Sequence, residues 1–275
     1  MRMELSDVTL DVEVSGEGPV VLLLHGFPDS HRLWRHQIPA LNAAGYRTVA
    51  PTLRGFGGSD RPEGGPEAYH PAKHAGDVLE LLARLEVDRF HLVGHDWGSG
   101  IGQGIAQVMP ERVTSLTVMS VGNLAAIFGA GDWEQRQRLW HLTMFQHEGL
   151  AEAWLSRDDF ANLRAMLAEH GDLAEVLERL RAPGALTAAL SIYRAGLPIE
   201  VQLAEPPATP PLGVPVMGVW STGDRFLMER QMTATAEHVS GPWRYERVED
   251  AGHWLQLDQP EKVNELLLSF LKDNG

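Results

Sequence analysis

The sequence contains no cysteine, few basic residues and no long hydrophobic run. The absence of cysteine from 275 residues excludes a disulfide framework, a cysteine-ligated metal site and a thiol nucleophile. The 23 basic residues against 37 acidic ones give a formal charge of −14, which argues against nucleic acid or an anionic membrane surface as a partner. The longest apolar runs, such as Val20–Leu24, are too short to cross a bilayer, and the start lacks the features of a signal peptide. We therefore expect a cytoplasmic protein.

The remaining composition, with 44% hydrophobic and 22% charged residues, is typical of a globular protein with a large core. Apolar patterns typical of strands occupy residues 8–14, 20–24, 46–50, 90–94, 113–119, 215–220 and 243–248. Helical patterns lie between them at residues 33–44, 71–85, 99–109, 228–238 and 260–271. This alternation predicts an α/β fold, with a mostly parallel sheet and helices on both faces.

One interval lacks any strand pattern. Between residues 124 and 211, helical patterns lie at 133–145, 158–169, 172–181 and 186–195, and Ser156 with Asp159 has the spacing of a capping box at the second of these. Pro206, Pro207, Pro210 and Pro211 form a stiff exit from this interval. We therefore predict a core made of residues 1–123 and 212–275, with a helical cap inserted at 124–211.

The sharpest local signal is the segment Phe90–Gly100, where an apolar strand runs directly into a helix. Gly94 and Gly98 allow a tight turn that pushes the central side chain, Asp96, out at the carboxyl edge of the sheet. The helix N-terminus favours the ionised carboxylate, which can attack without a base to activate it. Taken alone, the motif fits equally well an aspartate that only caps the helix.

Two further residues favour catalysis over capping. His253 follows the last predicted strand, and Asp224 follows the strand before it. The order nucleophile, acid, histidine is that of the α/β-hydrolase triad. Ser120, at the end of another strand, is not acidic, and this strengthens Asp224 as the acid.

An oxyanion hole in such a fold needs two backbone N–H groups. One comes from the residue after the nucleophile, here Trp97, and the other from the loop after the central strand. In the loop His25–Pro28 the second donor is predicted to be Phe27. This short motif alone also fits an ordinary turn at the end of a strand.

With these motifs, nearly the whole chain resembles an α/β-hydrolase-fold epoxide hydrolase. The resemblance rests on His25–Pro28, Trp34–Pro39, Leu53–Ser59, Gly94–Gly98 and Gly252–Gln256. It implies an eight-stranded α/β-hydrolase sheet, an all-helical cap over the site, and two cap hydroxyls that hold the epoxide oxygen. It implies no cofactor, and no histidine or acid cluster has the spacing of a metal site.

The cap of this chain departs from the usual pair of tyrosines. Tyr193 matches the second of them, whereas His141 stands where the first would fall. A His/Tyr pair resembles a minority of bacterial epoxide hydrolases, and a histidine here also resembles haloacetate dehalogenases. We expect the substrate to contact Phe27, Trp97, Trp254 and Phe145.

A carboxylate nucleophile suits displacement at a saturated carbon, so the candidate substrates are epoxides and organic halides. Opening an epoxide releases a basic alkoxide that needs an acid such as Tyr193. Related haloacetate enzymes clamp their acid substrate with two arginines, at positions where this chain has Trp97 and Gly100. We therefore predict an epoxide hydrolase that uses water and a small neutral apolar epoxide. The alternatives are a dehalogenase of neutral haloalkanes, less readily of haloacetate, and a non-catalytic ligand-binding protein. Sequence leaves the oligomeric state open, a homodimer included.

Overall fold

The computed structural model describes residues 1–128, 133–205 and 209–275. The strands are β1 (Arg2–Glu4), β2 (Thr9–Ser15), β3 (Val20–Leu24), β4 (Arg47–Pro51), β5 (Phe90–His95), β6 (Val113–Met119), β7 (Val216–Ser221) and β8 (Trp243–Val248). The α-helices are α1 (Gln37–Ala43), α2 (Pro71–Arg84), α3 (Trp97–Val108), α4 (Leu124–Phe128), α5 (Trp133–Arg138), α6 (Trp140–Phe145), α7 (Leu150–Met166), α8 (Leu173–Leu180), α9 (Ala185–Gly196), α10 (Ile199–Leu203), α11 (Glu229–Ala234), α12 (Leu255–Asp258) and α13 (Pro260–Asp273). Short 3₁₀ turns occupy His31–Trp34, Pro66–Tyr69 and Thr235–His238.

All eight strands form one sheet in the order β1-β2-β4-β3-β5-β6-β7-β8. β1 and β2 run antiparallel to their neighbours, and the other strands are parallel. β3 and β5 are buried along their whole length, as expected for strands that helices cover on both faces. The predicted α/β-hydrolase sheet is confirmed. The short edge strand β1, whose three residues carry no apolar alternation, is not visible in the sequence pattern.

Helices α4 to α10 follow β6 and precede β7, and the described residues between those two strands contain no strand. The element Leu150–Met166 consists of two helical segments. The first begins at Leu150, where the Glu152 carboxylate accepts the N–H of Gly149 at 2.7 Å, and the second, after Phe160, corresponds to the helix predicted at 158–169. The backbone from Arg157 to Phe160 leaves helical geometry, so the polar residues there mark a kink inside this element. Of the predicted proline exit, Pro206 and Pro207 lie outside the described residues.

The parallel order of the sheet decides where chemistry can occur. The carboxyl ends of parallel neighbours meet at one edge, so the loops after β3, β5, β6, β7 and β8 lie side by side. Helices α4, α6, α7, α8 and α9 contribute residues to one continuous apolar core with the sheet. Across the described ranges, no helix is both long and apolar enough to span a membrane.

Candidate active site

Asp96 occupies the sharp turn between β5 and α3, in a backbone conformation unusual for a residue with a side chain. Its φ of 53° and ψ of −121° lie in a region that costs free energy and persists only where neighbours enforce it. A Cβ atom on Gly98 would lie 2.0 Å from the carbonyl oxygen of Leu24, so only glycine allows α3 to approach β3 this closely. The predicted turn is present, and it projects the Asp96 carboxylate beyond the sheet edge.

His253 and Asp224 meet Asp96 at this edge, although they are far apart in the chain. The Nδ1 atom of His253 lies 2.9 Å from Oδ2 of Asp224, and its Nε2 atom lies 3.6 Å from Oδ2 of Asp96. The second oxygen of Asp224 accepts the backbone N–H groups of Phe226 and Leu227 at 2.8 and 2.9 Å. Asp224 is therefore fixed in the loop after β7 and orients the imidazole toward Asp96.

The two carboxylates set the charge of the histidine. Burial by itself lowers the pKa of His253, but the charges and hydrogen bonds of Asp224 and Asp96 raise it to about 10. Burial alone would raise the pKa of Asp96, but His253 holds it below the usual value of an aspartate. At neutral pH the resting site therefore contains an imidazolium between two carboxylates.

The loop after β3 lies directly over Asp96. The backbone N–H of Phe27 donates to Oδ1 of Asp96 at 2.8 Å, which places this predicted oxyanion donor at the carboxylate. The N–H of Trp97 belongs to the first turn of α3, where backbone donors have no partner within the helix. A Cβ atom on Gly26 would lie 2.2 Å from Oδ1 of Asp96, so the loop could not approach with a larger residue.

Two residues hold the backbone of His253, and sequence reasoning missed this role for Ser120. Ser120 Oγ and His95 Nε2 donate to the carbonyl oxygen of His253 at 2.8 and 2.9 Å. Burial lowers the pKa of His95 to about 4, so its imidazole is neutral at neutral pH. In the sequence, Ser120 indicates only that this strand end carries no acid. In the structure its hydroxyl instead fixes the loop that carries His253.

A cavity of about 140 Å³ lies between the sheet edge and the cap helices. The side chains with polar atoms in its lining are those of Asp96, Trp97, His141, Tyr193, His253 and Trp254. The remaining walls are almost entirely apolar, and among the described residues no lysine or arginine lines the cavity. The cavity is therefore polar at one end, where the predicted catalytic residues lie, and apolar elsewhere.

His141 on α6 and Tyr193 on α9 both line this cavity, as the resemblance implied. Burial, with the nearby charge of Asp96, raises the pKa of Tyr193 well above its usual value, so the phenol keeps its proton. Burial lowers the pKa of His141 to about 4, although a hydrogen bond to the backbone of Arg138 opposes this shift, so the ring is neutral and carries a single N–H.

Not every predicted substrate contact is found in the cavity wall. Phe27, Trp97 and Trp254 line the cavity, but Phe145 does not. Phe145 is fully buried, with its ring 5.0 Å from that of Tyr193 and 5.4 Å from that of His141. The apolar side chain of Phe145 predicts that it is buried. It does not predict that Phe145 packs behind the rings of Tyr193 and His141, away from the cavity. Phe226, which sequence reasoning missed, lines the cavity with its ring 5.2 Å from His253.

Asp29 is a second buried carboxylate that sequence reasoning missed, although it directly follows the His25–Pro28 loop. Its Oδ1 atom accepts from His170 Nε2 and its Oδ2 atom from the Trp254 indole, both at 3.0 Å. Burial would raise its pKa, but the neighbouring His170 and further imidazoles lower it to about 2. Because His170 lies between α7 and α8 and Trp254 follows His253, Asp29 ties the cap to the histidine loop.

We expect Asp29→Asn to destabilise the fold by about 1–3 kcal/mol. The asparagine NH₂ group would replace one carboxylate oxygen, so one of the two buried donors, His170 Nε2 or the Trp254 indole, would lose its acceptor. Urea unfolding at neutral pH measures this loss. The pKa of Asp29 in the folded protein lies below the unfolded value of 3.8. The difference in unfolding free energy between wild type and variant is therefore fully present at pH values above 3.8. It should shrink as the pH falls through about 2.

Asp7→Asn is the control for this prediction. Asp7 is exposed and lies 3.5 Å from Lys73, and such surface pairs contribute roughly 0–1 kcal/mol. Equal losses in the two variants would show that Asp29 does not hold the cap to the histidine loop.

Known proteins resemble this chain in sequence and in fold. The α/β-hydrolase fold family matches residues 19–260. Epoxide hydrolase A of Mycobacterium tuberculosis is 32% identical over 98% of this chain and 96% of its own length. A fluoroacetate dehalogenase of a Burkholderia species is 33% identical over 73% of this chain and 70% of its own length. The crystal structure of the Bacillus megaterium epoxide hydrolase in complex with an inhibitor is 26% identical, with a TM-score of 0.87, and the match covers 99% of this chain and 100% of that one.

The family match covers most of the chain, and the relatives match in both sequence and three-dimensional structure. The protein belongs to the α/β-hydrolase fold family, and epoxide hydrolases are among its full-length relatives.

Proposed function

We propose that this protein hydrolyses a small, neutral, apolar epoxide to a vicinal diol, with Asp96 as nucleophile. The observation that carries the proposal is a carboxylate at the sheet edge, 3.6 Å from an imidazole, facing an apolar cavity that a buried tyrosine and a neutral histidine also line. Residues 124–211 act as a cap that supplies these two donors.

In the first half of the reaction, a carboxylate oxygen of Asp96 attacks an epoxide carbon and the carbon–oxygen bond breaks. The released oxygen takes the proton of the Tyr193 hydroxyl while His141 donates a hydrogen bond. The product is an alkyl ester on Asp96, and the proton of the imidazolium moves through water to the Tyr193 phenolate. Formation of the ester removes one of the two negative charges that raise the pKa of His253. Esterification thus converts His253 from a charged partner into a base.

In the second half, neutral His253 takes a proton from water, and the hydroxide attacks the ester carbonyl. The backbone N–H groups of Phe27 and Trp97 stabilise the resulting oxyanion. The intermediate collapses as the diol oxygen leaves with the proton from His253. The carboxylic acid left on Asp96 then passes its proton to His253, which restores the resting ion pair. One oxygen of Asp96 has entered the diol and one oxygen of water has entered Asp96.

Cavity size and polarity define the substrate class. An apolar cavity of about 150 Å³ holds a benzene-sized molecule, and the cavity here measures about 140 Å³. A charged substituent would lose its hydration without gaining a partner, because no basic side chain of the described residues lines the wall. Epoxides with one small aryl or short alkyl substituent therefore fit best.

The substrate test is turnover of an epoxide panel beside haloalkanes and haloacetate, without added cofactor. We expect diol formation from small monosubstituted epoxides, with slower turnover of long-chain and carboxylate-bearing ones. Rapid halide release with inert epoxides would favour the dehalogenase alternative, which the Burkholderia relative represents.

The source of the diol oxygen tests the covalent route separately. In a single turnover in ¹⁸O-labelled water, the first diol should be unlabelled, and the label should appear in the peptide that contains Asp96. A labelled first diol would mean that water attacks the epoxide directly.

A further inference from the structure

We propose that Arg194 and Gln146 form a clamp between α6 and α9 that sets the separation of the two proton donors. The two residues would act as positioning residues for epoxide opening, and this inference rests on the proposed function. His141 and Tyr193 lie on different helices, so their separation depends on how α6 and α9 are held together.

The arginine side of the clamp starts on α9, next to Tyr193. The Nε atom of Arg194 donates to the carbonyl oxygen of Phe145, the last residue of α6, at 2.9 Å. Its Nη1 atom donates to Oε1 of Glu152 at 2.8 Å. Both side chains are shielded from solvent, with side-chain exposures of 5% for Arg194 and 17% for Glu152. One guanidinium therefore joins α9 to the end of α6 and to the start of α7.

On the glutamine side of the clamp, the donor lies at the end of α6 and the acceptors lie in or just after α9. Gln146, the residue after α6, directs its side-chain N–H groups at the carbonyl oxygens of Tyr193 and Leu197, at 3.2 and 3.0 Å. The same nitrogen also lies 3.1 Å from the carbonyl oxygen of Leu142. Each helix thus bonds the backbone of the other, one through a charged group and one through a neutral group.

Phe145 acts as the spacer between the donors. Its carbonyl is held by Arg194, and its ring contacts both donor rings, at 5.0 Å from Tyr193 and 5.4 Å from His141. A shift of α6 relative to α9 would therefore change the position of one donor relative to the other. The position of His253 would not change, because Ser120 and His95 hold its backbone within the core.

This separation of roles predicts a selective kinetic defect. Arg194→Met keeps side-chain bulk but removes the donors, and we expect it to slow formation of the alkyl-enzyme by roughly 10–100-fold, since misplacement of about 1 Å can cost that much. Hydrolysis of the alkyl-enzyme should be almost unchanged, because it depends on His253. Stopped-flow tryptophan fluorescence can follow both steps, since Trp97 and Trp254 line the cavity.

Three further variants make the test specific. Gln146→Met should give a smaller defect of the same kind, and it remains informative if loss of the buried arginine prevents folding. In the Tyr193→Phe background, Arg194→Met should add little, because residues that act as one unit have non-additive effects. Arg54→Met is the matched control, because Arg54 is also buried, pairs with Asp77 and bonds a carbonyl oxygen. It should lower stability without changing the ratio of the two rates.

The outcomes separate this inference from the proposed function. The clamp would be overturned if Arg194→Met slowed both steps equally or left both at wild-type rates. It would also be overturned if Arg194→Met caused its full loss again in the Tyr193→Phe background. If wild-type protein opens no epoxide, the proposed function fails instead.

Discussion

Replacement of Asp96 by alanine is expected to abolish epoxide turnover, with a loss of roughly 10⁴-fold or more. The size follows from the chemistry, because Asp96 is the only carboxylate among the described residues that line the cavity. Asp224 is bonded to His253. The carboxylate of Asp96 also accepts the backbone N–H of Phe27 at 2.8 Å. In the Asp96→Ala variant this oxyanion donor therefore loses its partner. Diol formation under saturating substrate measures the loss.

The control for Asp96 is an aspartate without contacts to the site. Asp88 is exposed, and Asp88→Ala should leave turnover at the wild-type level. Circular dichroism should show both variants folded. If Asp96→Ala kept a substantial fraction of wild-type turnover, the nucleophile would have to be another group or water itself.

Replacement of His253 by glutamine is expected to stop the reaction at the covalent intermediate. Alkylation needs the Asp96 carboxylate and the cap donors, whereas hydrolysis of the ester needs a base, which is worth roughly 10²–10⁴-fold. With small epoxides the protein should therefore gain the mass of one substrate molecule and release diol very slowly. Intact-protein mass spectrometry after mixing detects the adduct, and peptide mapping should place it on Asp96.

Two matched variants control this experiment. Asp96→Ala in the His253→Gln background should gain no mass, since the acceptor carboxylate is missing. His36→Gln changes an exposed histidine and should leave turnover and mass unchanged. Rapid diol release from His253→Gln, without an adduct, would mean that His253 is not the base of the second step.

The charge of His253 in the resting site explains why Asp96→Ala should prevent the first step whereas His253→Gln should block only the second. His253 lies between two carboxylates that raise its pKa to about 10, so it begins the cycle charged. Esterification neutralises Asp96, and the imidazolium then has only Asp224 as a charged neighbour. The histidine therefore acts as a base only after the nucleophile has reacted. Without His253, the first step retains its chemistry and the second step does not.

Much of the sheet and part of the site could be predicted because they depend on local pattern. The buried strands β3 and β5 are continuous apolar runs, and the glycines around Asp96 indicate a turn that only small residues permit. Once the strands are placed, parallel order brings the ends of β5, β7 and β8 to one edge. Asp96, Asp224 and His253 then have to lie near each other.

Other features escaped prediction because their partners are distant in the chain. Asp29 pairs with His170, which lies 141 residues away, and with Trp254, which lies 225 residues away. The role of Ser120 depends on the carbonyl oxygen of His253, which no composition or spacing reveals. Phe145 carried the right apolar signal, but only packing decided that it supports the two donor rings from outside the cavity wall.

The sequence by itself therefore determined the class of fold, the turn that presents Asp96 and the chain order of the triad, since these follow from periodicity, glycine positions and strand ends. Tertiary structure decided which buried polar groups pair, how α6 is held to α9, and how large and how apolar the cavity is. The physical reason is that strand and turn formation depends on neighbouring residues, whereas pairing of buried charges and the volume of a cavity depend on atoms that only folding brings together.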